Sequence, residues 1–196
     1  MIMVYSTELI FFEKFTLNLI ANSLLGIITT YKLKQIMEQW ANYFLATAGA
    51  AASLTGLIFV SVSLNLKKIL SHPHLPGRAL DSLIIMSNIL IVSSFCLIPK
   101  QGITLLGCEI LGFDILIWII IIRMDVTMYN KVEKPFRSHY FQNLLFSQLA
   151  IIPYLAAGIF LVMNSTIGLY LLIPGITFSL IKALTDSWVL LVEINR

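Results

Sequence analysis

Four charged residues lie within long apolar stretches, and they are the residues of this sequence best suited to chemistry. Glu109 and Asp114 share one stretch; Lys182 and Asp186 share another, where their four-residue spacing puts them on one helix face. A charge facing lipid is costly, so each should face protein or water. A helix rises about 1.5 Å per residue, so the position of each charge along its span gives its depth in the bilayer. Charges at similar depths on the two spans predict two ion pairs, Asp114–Lys182 and Asp186–Arg123.

These charges allow two interpretations. They can be ion pairs that fix the alignment of the helices, or Glu109, Asp114 and Asp186 can form a proton or ion relay. Glu109 and Asp114 are five residues apart, about 140° of helical rotation, so they should point to different neighbours. No charged partner for Glu109 is apparent.

Motifs of other chemistries are missing. The sequence has no glycine-rich phosphate loop, no nucleophile elbow and no Ser-His-Asp set. His72 and His74 flank Pro73, but no third metal ligand is apparent. We therefore expect no enzyme, no catalytic residue, no bound metal and no cofactor.

A stripe of small residues marks one of the apolar stretches. Its members recur at spacings of four, three, four, three and seven, which places them on one helix face. Small side chains let helices approach closely inside a bilayer, so this face should pack against a helix of the same chain or of another chain, or line a pore. The stripe consists of Asn42, Ala46, Gly49, Ser53, Gly56 and Ser63.

The amino-acid composition indicates that these apolar stretches lie in a membrane. Charged residues make up 12% of the 196 residues, hydrophobic residues make up 58%, and the mean hydropathy is +0.89. So few charges exclude a disordered chain, a nucleic-acid-binding domain and almost any soluble domain. The expected partner is the lipid bilayer, and the expected fold is an all-α integral membrane bundle.

Long apolar runs, two of which contain the charged residues described above, predict five transmembrane helices. Each is long enough to cross about 30 Å of hydrocarbon, and the polar turn 164–166 divides the longest run into two. Asp81 should stabilise the start of the second helix through the helix dipole. The predicted spans are 39–66, 82–99, 103–122, 142–163 and 167–192.

Residues 1–38 are harder to interpret than the five-helix domain 39–196. The uncharged run within them, 15–31, is short and carries several polar residues. It can be a helix lying in the membrane interface, a weak sixth span, or an extension upstream of a translation start at Met37.

Lysine and arginine counts predict the orientation. Eight basic residues share one side of the five predicted helices, and by the positive-inside rule that side is cytoplasmic. The C-terminus is then cytoplasmic as well. The eight are Lys67, Lys68, Arg78, Arg123, Lys131, Lys134, Arg137 and Arg196.

Three segments carry a resemblance to a known family. They are the run from Trp40 to Asn65 (WANYFLATAGAAASLTGLIFVSVSLN), the loop 75–80 (LPGRAL) and the ending 188–196 (WVLLVEINR). Over roughly residues 37–196 the chain resembles a family of small bacterial multi-pass membrane proteins, some of which are described as modulators of the FtsH membrane protease. The resemblance implies a bacterial inner membrane and transfers no catalytic residue.

Two functions follow as hypotheses. The first is a non-enzymatic membrane protein that acts by helix–helix association, as a homo-oligomer or by modulating or assembling another membrane complex. The small-residue stripe motivates it. The second is a small channel or proton-coupled transporter that uses Glu109, Asp114, Lys182 and Asp186.

Overall fold

The computed structural model describes the backbone of residues 2–71, 75–131 and 137–192, and the side chains of 38–71, 75–129, 142–189 and part of 17–37. His72 and His74 lie outside these residues. The described chain is helical apart from short turns, which confirms the all-α class. The helices are α1 (Ile2–Leu64), α2 (Leu66–Ser71), α3 (Leu75–Cys96), α4 (Ile103–Lys131), α5 (Arg137–Val162) and α6 (Ile167–Val192).

Five stretches of the described residues are long and apolar enough to cross a membrane, as predicted. Their bounds agree closely with the predicted spans except in α3, which begins seven residues early, and in α4, which continues past 122. These two extensions bring additional charged residues into the bundle. The stretches are Glu38–Leu64, Leu75–Cys96, Ile103–Tyr129, Gln142–Val162 and Ile167–Val189.

The chain divides into two compact units, Met1–Trp40 and Ala41–Arg196. The first unit is the beginning of α1, and the apolar side chains described in it, such as Leu17 and Tyr31, are exposed. A helix with exposed apolar side chains suits an interfacial helix and a weak span equally. The nature of residues 1–38 stays a prediction.

Two tight turns connect consecutive spans of the second unit. Lys100 has a φ of 61° in the turn between α3 and α4, and Asn164 has a φ of 60° in the turn between α5 and α6. The left-handed Asn164 lets the Ser165 backbone N–H donate to the Phe160 carbonyl, which satisfies the end of α5. Turns this short make the connected helices antiparallel neighbours.

Glycines bring α4, α5 and α6 into close contact. A Cβ on Gly107 would lie 2.5 Å from the backbone nitrogen of Val162, and a Cβ on Gly158 would lie 3.0 Å from the Leu111 Cα. Gly168 approaches the Ala157 carbonyl in the same way. Backbones that approach this closely pack through van der Waals contacts, which drive helix association in lipid.

Helix α3 lies at the centre of the second unit. Of its most apolar 18 residues 56% are buried, against 11% of the corresponding 18 residues within Glu38–Leu64. Ile85, Met86 and Ile89 on α3 are fully buried, and α3 packs on both α4 and α6. Polar residues on its inward faces are consequently held inside the bundle.

Candidate functional site

Five charged side chains from three helices converge near the end of the bundle where α3 begins and α6 ends. We call this set the charge cluster. Four of its members are at most 4% exposed, and Arg78 is partly exposed. The cluster consists of Arg78 and Asp81 on α3, Asp125 on α4, and Lys182 and Asp186 on α6.

Lys182 is the centre of the charge cluster. Its Nζ donates a hydrogen bond to Asp81 Oδ2 at 2.8 Å and another to Asp186 Oδ2, one turn along the same helix. Asp186 Oδ1 accepts from Arg78 Nη2 at 2.7 Å. Removing such ions from water is expensive unless each is closely paired, and these contacts supply that pairing. The result is a continuous chain of ion pairs from Asp81 to Arg78.

The charge cluster contains more carboxylates than cations. Asp125 lies close enough to Asp81, Lys182 and Asp186 to interact electrostatically with all three. Three carboxylates and two cations give a formal charge of −1. Among the described residues, neither Asp81 Oδ1 nor Asp125 Oδ2 has a hydrogen-bond partner.

Ser147 on α5 is a neutral group close to two of these carboxylates, Asp81 and Asp125. Its Oγ lies 3.4 Å from Asp81 Oδ2, but it also lies 3.1 Å from the Asn143 carbonyl of its own helix. One hydroxyl proton cannot satisfy both acceptors fully. The cluster therefore holds buried acceptors without a donor, and one buried donor, Arg78 Nε, is also without a partner among the described residues.

A second buried polar contact lies deeper in the bundle, and we call it the amide–acid pair. Asn88 on α3 donates from Nδ2 to Asp114 Oδ1 on α4 at 2.8 Å, and both residues are fully buried. Within the described structure, Asn88 Oδ1 and Asp114 Oδ2 have no partner. Cys96 and Tyr154 are close enough to Asp114 to interact with it electrostatically.

Helical periodicity aligns the amide–acid pair with the charge cluster. Asp81 and Asn88 are seven residues apart on α3, close to two full turns. Asp114 and Asp125 are eleven residues apart on α4, close to three full turns and about 16 Å along the axis. The same faces of α3 and α4 thus carry buried polar groups at two depths.

Both predicted ion pairs are wrong. Asp114 bonds to Asn88 instead of Lys182, and Asp186 bonds to Arg78 instead of Arg123. Arg123 is exposed, because it precedes the buried Asp125 by two residues and two residues are about 200° of helical rotation. The two pairs were predicted from the depth of each charge in α4 and α6 alone. Depth does not show which side chains face each other, and α3, which supplies Asn88 and Arg78, was left out of the comparison.

Asp81 does not lie at a helix start, so the prediction that it stabilises one through the helix dipole is wrong. α3 begins at Leu75, so Asp81 is its seventh residue, and its carboxylate is fully buried against Lys182. Arg78, counted as a loop residue in the orientation argument, is part of α3 as well. Sequence spacing offered two signals for the missed residues: the seven-residue interval from Asp81 to Asn88 and the eleven-residue interval from Asp114 to Asp125.

Glu109 stands apart from both polar sites. It is partly buried and accepts a hydrogen bond from Gln101 Nε2, a neutral donor in the turn before α4. Its side chain is thus tied to the α3–α4 turn, on a different face of α4 from Asp114, as the five-residue spacing predicts.

The small-residue stripe lies on the outer surface of the second unit. All six members are exposed, and no heavy atom of the described residues lies within 4 Å of a Cβ built on Gly49 or Gly56. The opposite face of α1 packs on the bundle through Phe44, Ala51 and Ile58. Packing of the stripe within the chain, one of the alternatives, is therefore wrong. The exposed members are Asn42, Ala46, Gly49, Ser53, Gly56 and Ser63.

Hydroxyls on this stripe are satisfied locally. Ser53 Oγ donates to the Gly49 carbonyl at 2.9 Å, and Ser63 Oγ donates to the Phe59 carbonyl at 2.8 Å. Such bonds within one helix let serines face lipid without a partner. The stripe is thus a smooth surface of small residues.

No group of three or more His, Cys, Asp and Glu residues in the described part of the chain is arranged to hold a metal ion. Comparison of the chain with protein-family models, with curated proteins and with solved structures finds no match.

Proposed function

We propose that this multi-pass membrane protein moves protons across the bilayer, as a small channel or a proton-coupled transporter, through the interior that contains the charge cluster and the amide–acid pair. The observation that supports it best is that buried carboxylate oxygens have no donor among the described residues at two depths on one face of α4, Asp114 Oδ2 and Asp125 Oδ2. A proton is the smallest ligand that supplies such an oxygen with a donor.

A purely structural role explains the charge cluster less well. A buried network that serves only to fix helix alignment is most stabilising when every donor and acceptor is paired. Asp125 adds a third carboxylate that forms no ion pair with Lys182 or Arg78 in the described structure, since these cations bond to Asp81 and Asp186. Unsatisfied ionisable groups inside a membrane bundle mark proton and ion pathways.

The residues take different roles in this proposal. Asp125 and Asp81 accept and release the proton through their unpaired oxygens. Lys182 holds Asp81 and Asp186 in place and lowers the cost of their charge. Arg78, which is partly exposed, connects the cluster to the surface of the bundle.

Proton flux into liposomes tests the proposal. The full chain is reconstituted with a trapped pH-sensitive dye, and a potassium gradient with valinomycin sets an inside-negative potential. Wild type should acidify the lumen faster than empty liposomes, and Asp125→Asn should lose most of this flux. Arg123→Gln is the matched control, because Arg123 is exposed two residues away on the same helix.

Two results would contradict proton movement through this interior. One is a wild type that is correctly folded and no faster than empty liposomes. The other is an Asp125→Asn variant that conducts as well as Arg123→Gln.

We also propose that the charge-cluster end of the bundle faces the cytoplasm of a bacterial inner membrane. Lys67, Lys68 and the C-terminal end of α6 belong to this end, and basic residues favour the cytoplasmic side. A C-terminal green fluorescent protein fusion should fluoresce, and a C-terminal alkaline phosphatase fusion should be inactive. The opposite pattern would invert the topology.

Helix–helix association is the second candidate function, and the exposed stripe on α1 favours it. A face of small residues exposed to lipid suits close approach of another transmembrane helix, from a second copy or from a different membrane protein. The resemblance to FtsH modulators makes a membrane protease one such partner. In this role the protein is not an enzyme.

Crosslinking in membranes tests the association. Gly56→Leu should abolish crosslinked complexes, because a leucine there keeps another helix at a distance. Gly112→Leu is the matched control, since Gly112 on α4 is also exposed and has no described heavy atom within 4 Å of its Cβ. Equal crosslinking by wild type and Gly56→Leu would remove the support for this candidate.

A further inference from the structure

The amide–acid pair is chemically incomplete. Asn88 Nδ2 donates to Asp114 Oδ1 at 2.8 Å, but Asn88 Oδ1 and Asp114 Oδ2 are acceptors without a described donor. Both residues are at most 1% exposed. Water cannot reach such groups freely in the bilayer interior, and a buried acceptor left unpaired is unfavourable.

No cation among the described residues faces Asp114. The titratable groups around it are Cys96 on α3 and Tyr154 on α5, both neutral when protonated. Tyr154 in turn lies close to Tyr43 on α1 and Ser179 on α6. These groups come from every helix around the pair, and none of them neutralises a carboxylate.

Lys182 does not provide the missing charge either. Its ammonium is engaged by Asp81 and Asp186 in the charge cluster. Among the described residues, an ionised Asp114 would therefore be a buried anion with one hydrogen bond and no counter-ion.

We propose that Asp114 is a reversible proton-binding site and that Asn88 is the residue that holds the bound proton. With a proton on Asp114 Oδ2, that oxygen donates to Asn88 Oδ1 while Asn88 Nδ2 still donates to Asp114 Oδ1. A carboxylic acid and a carboxamide can form two hydrogen bonds to each other in this way. One proton thus supplies the missing donor for Asn88 and removes the uncompensated charge of Asp114.

Loss of the proton reverses both effects. The ionised Asp114 keeps the bond from Asn88 Nδ2, and Asn88 Oδ1 again lacks a donor. The proton leaves toward the charge cluster, where Asp125 offers an unpaired oxygen three turns along the same face of α4. Although this route rests on the proposed function, proton binding at Asp114 is measurable without any flux.

Infrared difference spectroscopy tests the site. The full chain in lipid is taken through a pH titration in H₂O and D₂O, and the carbonyl stretch of protonated carboxylic acids is followed. Wild type should show a titrating band that shifts in D₂O and is absent from Asp114→Asn. That substitution mimics the neutral acid in size, so the bundle should stay folded. Asp125→Asn should retain the band.

A second variant tests the role of Asn88. Asn88→Leu keeps the side chain's approximate volume but removes both hydrogen bonds, so the Asp114 band should move to higher frequency and titrate at a different pH. An unchanged band in Asn88→Leu would overturn the assignment of Asn88 as the residue that holds the proton.

Three results would overturn the proton site itself. The titrating band can persist in Asp114→Asn, it can be present at every pH without titrating, or it can be displaced by sodium ions at fixed pH, which would indicate a cation site. A titrating Asp114 band without liposome flux would support this site and contradict transport. Liposome flux without a titrating Asp114 band would support transport and contradict the proton site at Asp114.

Discussion

Replacement of Lys182 by methionine is the most direct perturbation of the charge cluster. Methionine preserves much of the side-chain volume but removes the ammonium that bonds Asp81 and Asp186. Asp186 keeps its 2.7 Å bond to Arg78, whereas Asp81 loses the one cation bonded to it among the described residues. The formal charge of the buried cluster changes from −1 to −2.

The expected cost follows from the burial of these groups. Removing one partner of a buried ion pair typically destabilises a protein by about 3 to 5 kcal/mol, because the other charge stays buried without compensation. Lys182 and Asp81 are 3% and 0% exposed, so solvent provides little screening. Lys182→Met should therefore lower the free energy of unfolding by about that amount.

Reversible unfolding in mixed detergent micelles, followed by circular dichroism, measures this change. The double variant Lys182→Met/Asp81→Asn is the control, because it removes the uncompensated carboxylate together with the cation. It should recover most of the lost stability. A loss below about 1 kcal/mol in the single variant, or a double variant no more stable than the single one, would refute the account of the cluster.

Two further predictions concern helix packing. Gly107→Ala should lower the free energy of unfolding by about 1 to 3 kcal/mol, since its Cβ would lie 2.5 Å from the Val162 nitrogen. Gly112→Ala is the control, because there is open space around its Cβ, and it should change the free energy of unfolding by no more than about 0.5 kcal/mol in the same assay. Equal losses in both variants would contradict the close contact between Gly107 and α5. Gly56→Leu should leave the unfolding free energy near that of wild type while crosslinking is lost; a large loss of stability would mean that the stripe packs within the chain.

The spans could be predicted from the sequence because hydropathy depends on composition over a long window. The turn at Asn164 was also predictable, since asparagine tolerates the left-handed conformation observed there. The start of α3 and the end of α4 were not predictable in this way. Asp81 and Arg123 border the predicted spans 82–99 and 103–122, because charges were taken as span boundaries, yet each is part of a helix that continues past it.

The bonding partners of the buried charges were harder to predict from the sequence than their depths in the membrane. Depth along two helices made Asp114–Lys182 plausible, but rotation about each helix axis decides which side chains face one another. Asp114 faces α3, where Asn88 meets it, and Lys182 faces the earlier turn of α3 that carries Asp81. Such rotations depend on the packing of all helices together, including the glycine contacts of α4–α6.

The outward position of the small-residue stripe was not predictable either, because the rotation of α1 about its axis also depends on how the helices pack. α1 has two plausible packing faces, the stripe and the face with Phe44, Ala51 and Ile58. Phe44 and Ile58 are larger than the stripe residues and bury more apolar surface, so their face is the one that packs against the bundle. Composition alone does not distinguish a face that packs within the chain from one left for another helix.

Proton entry into liposomes containing the purified protein tests the central claim most directly. Wild type should carry protons under an inside-negative potential, Arg123→Gln should match it, and Asp125→Asn should conduct far more slowly. Folded wild-type protein that passes no more protons than empty liposomes would contradict the claim and leave the buried charges as structural ion pairs.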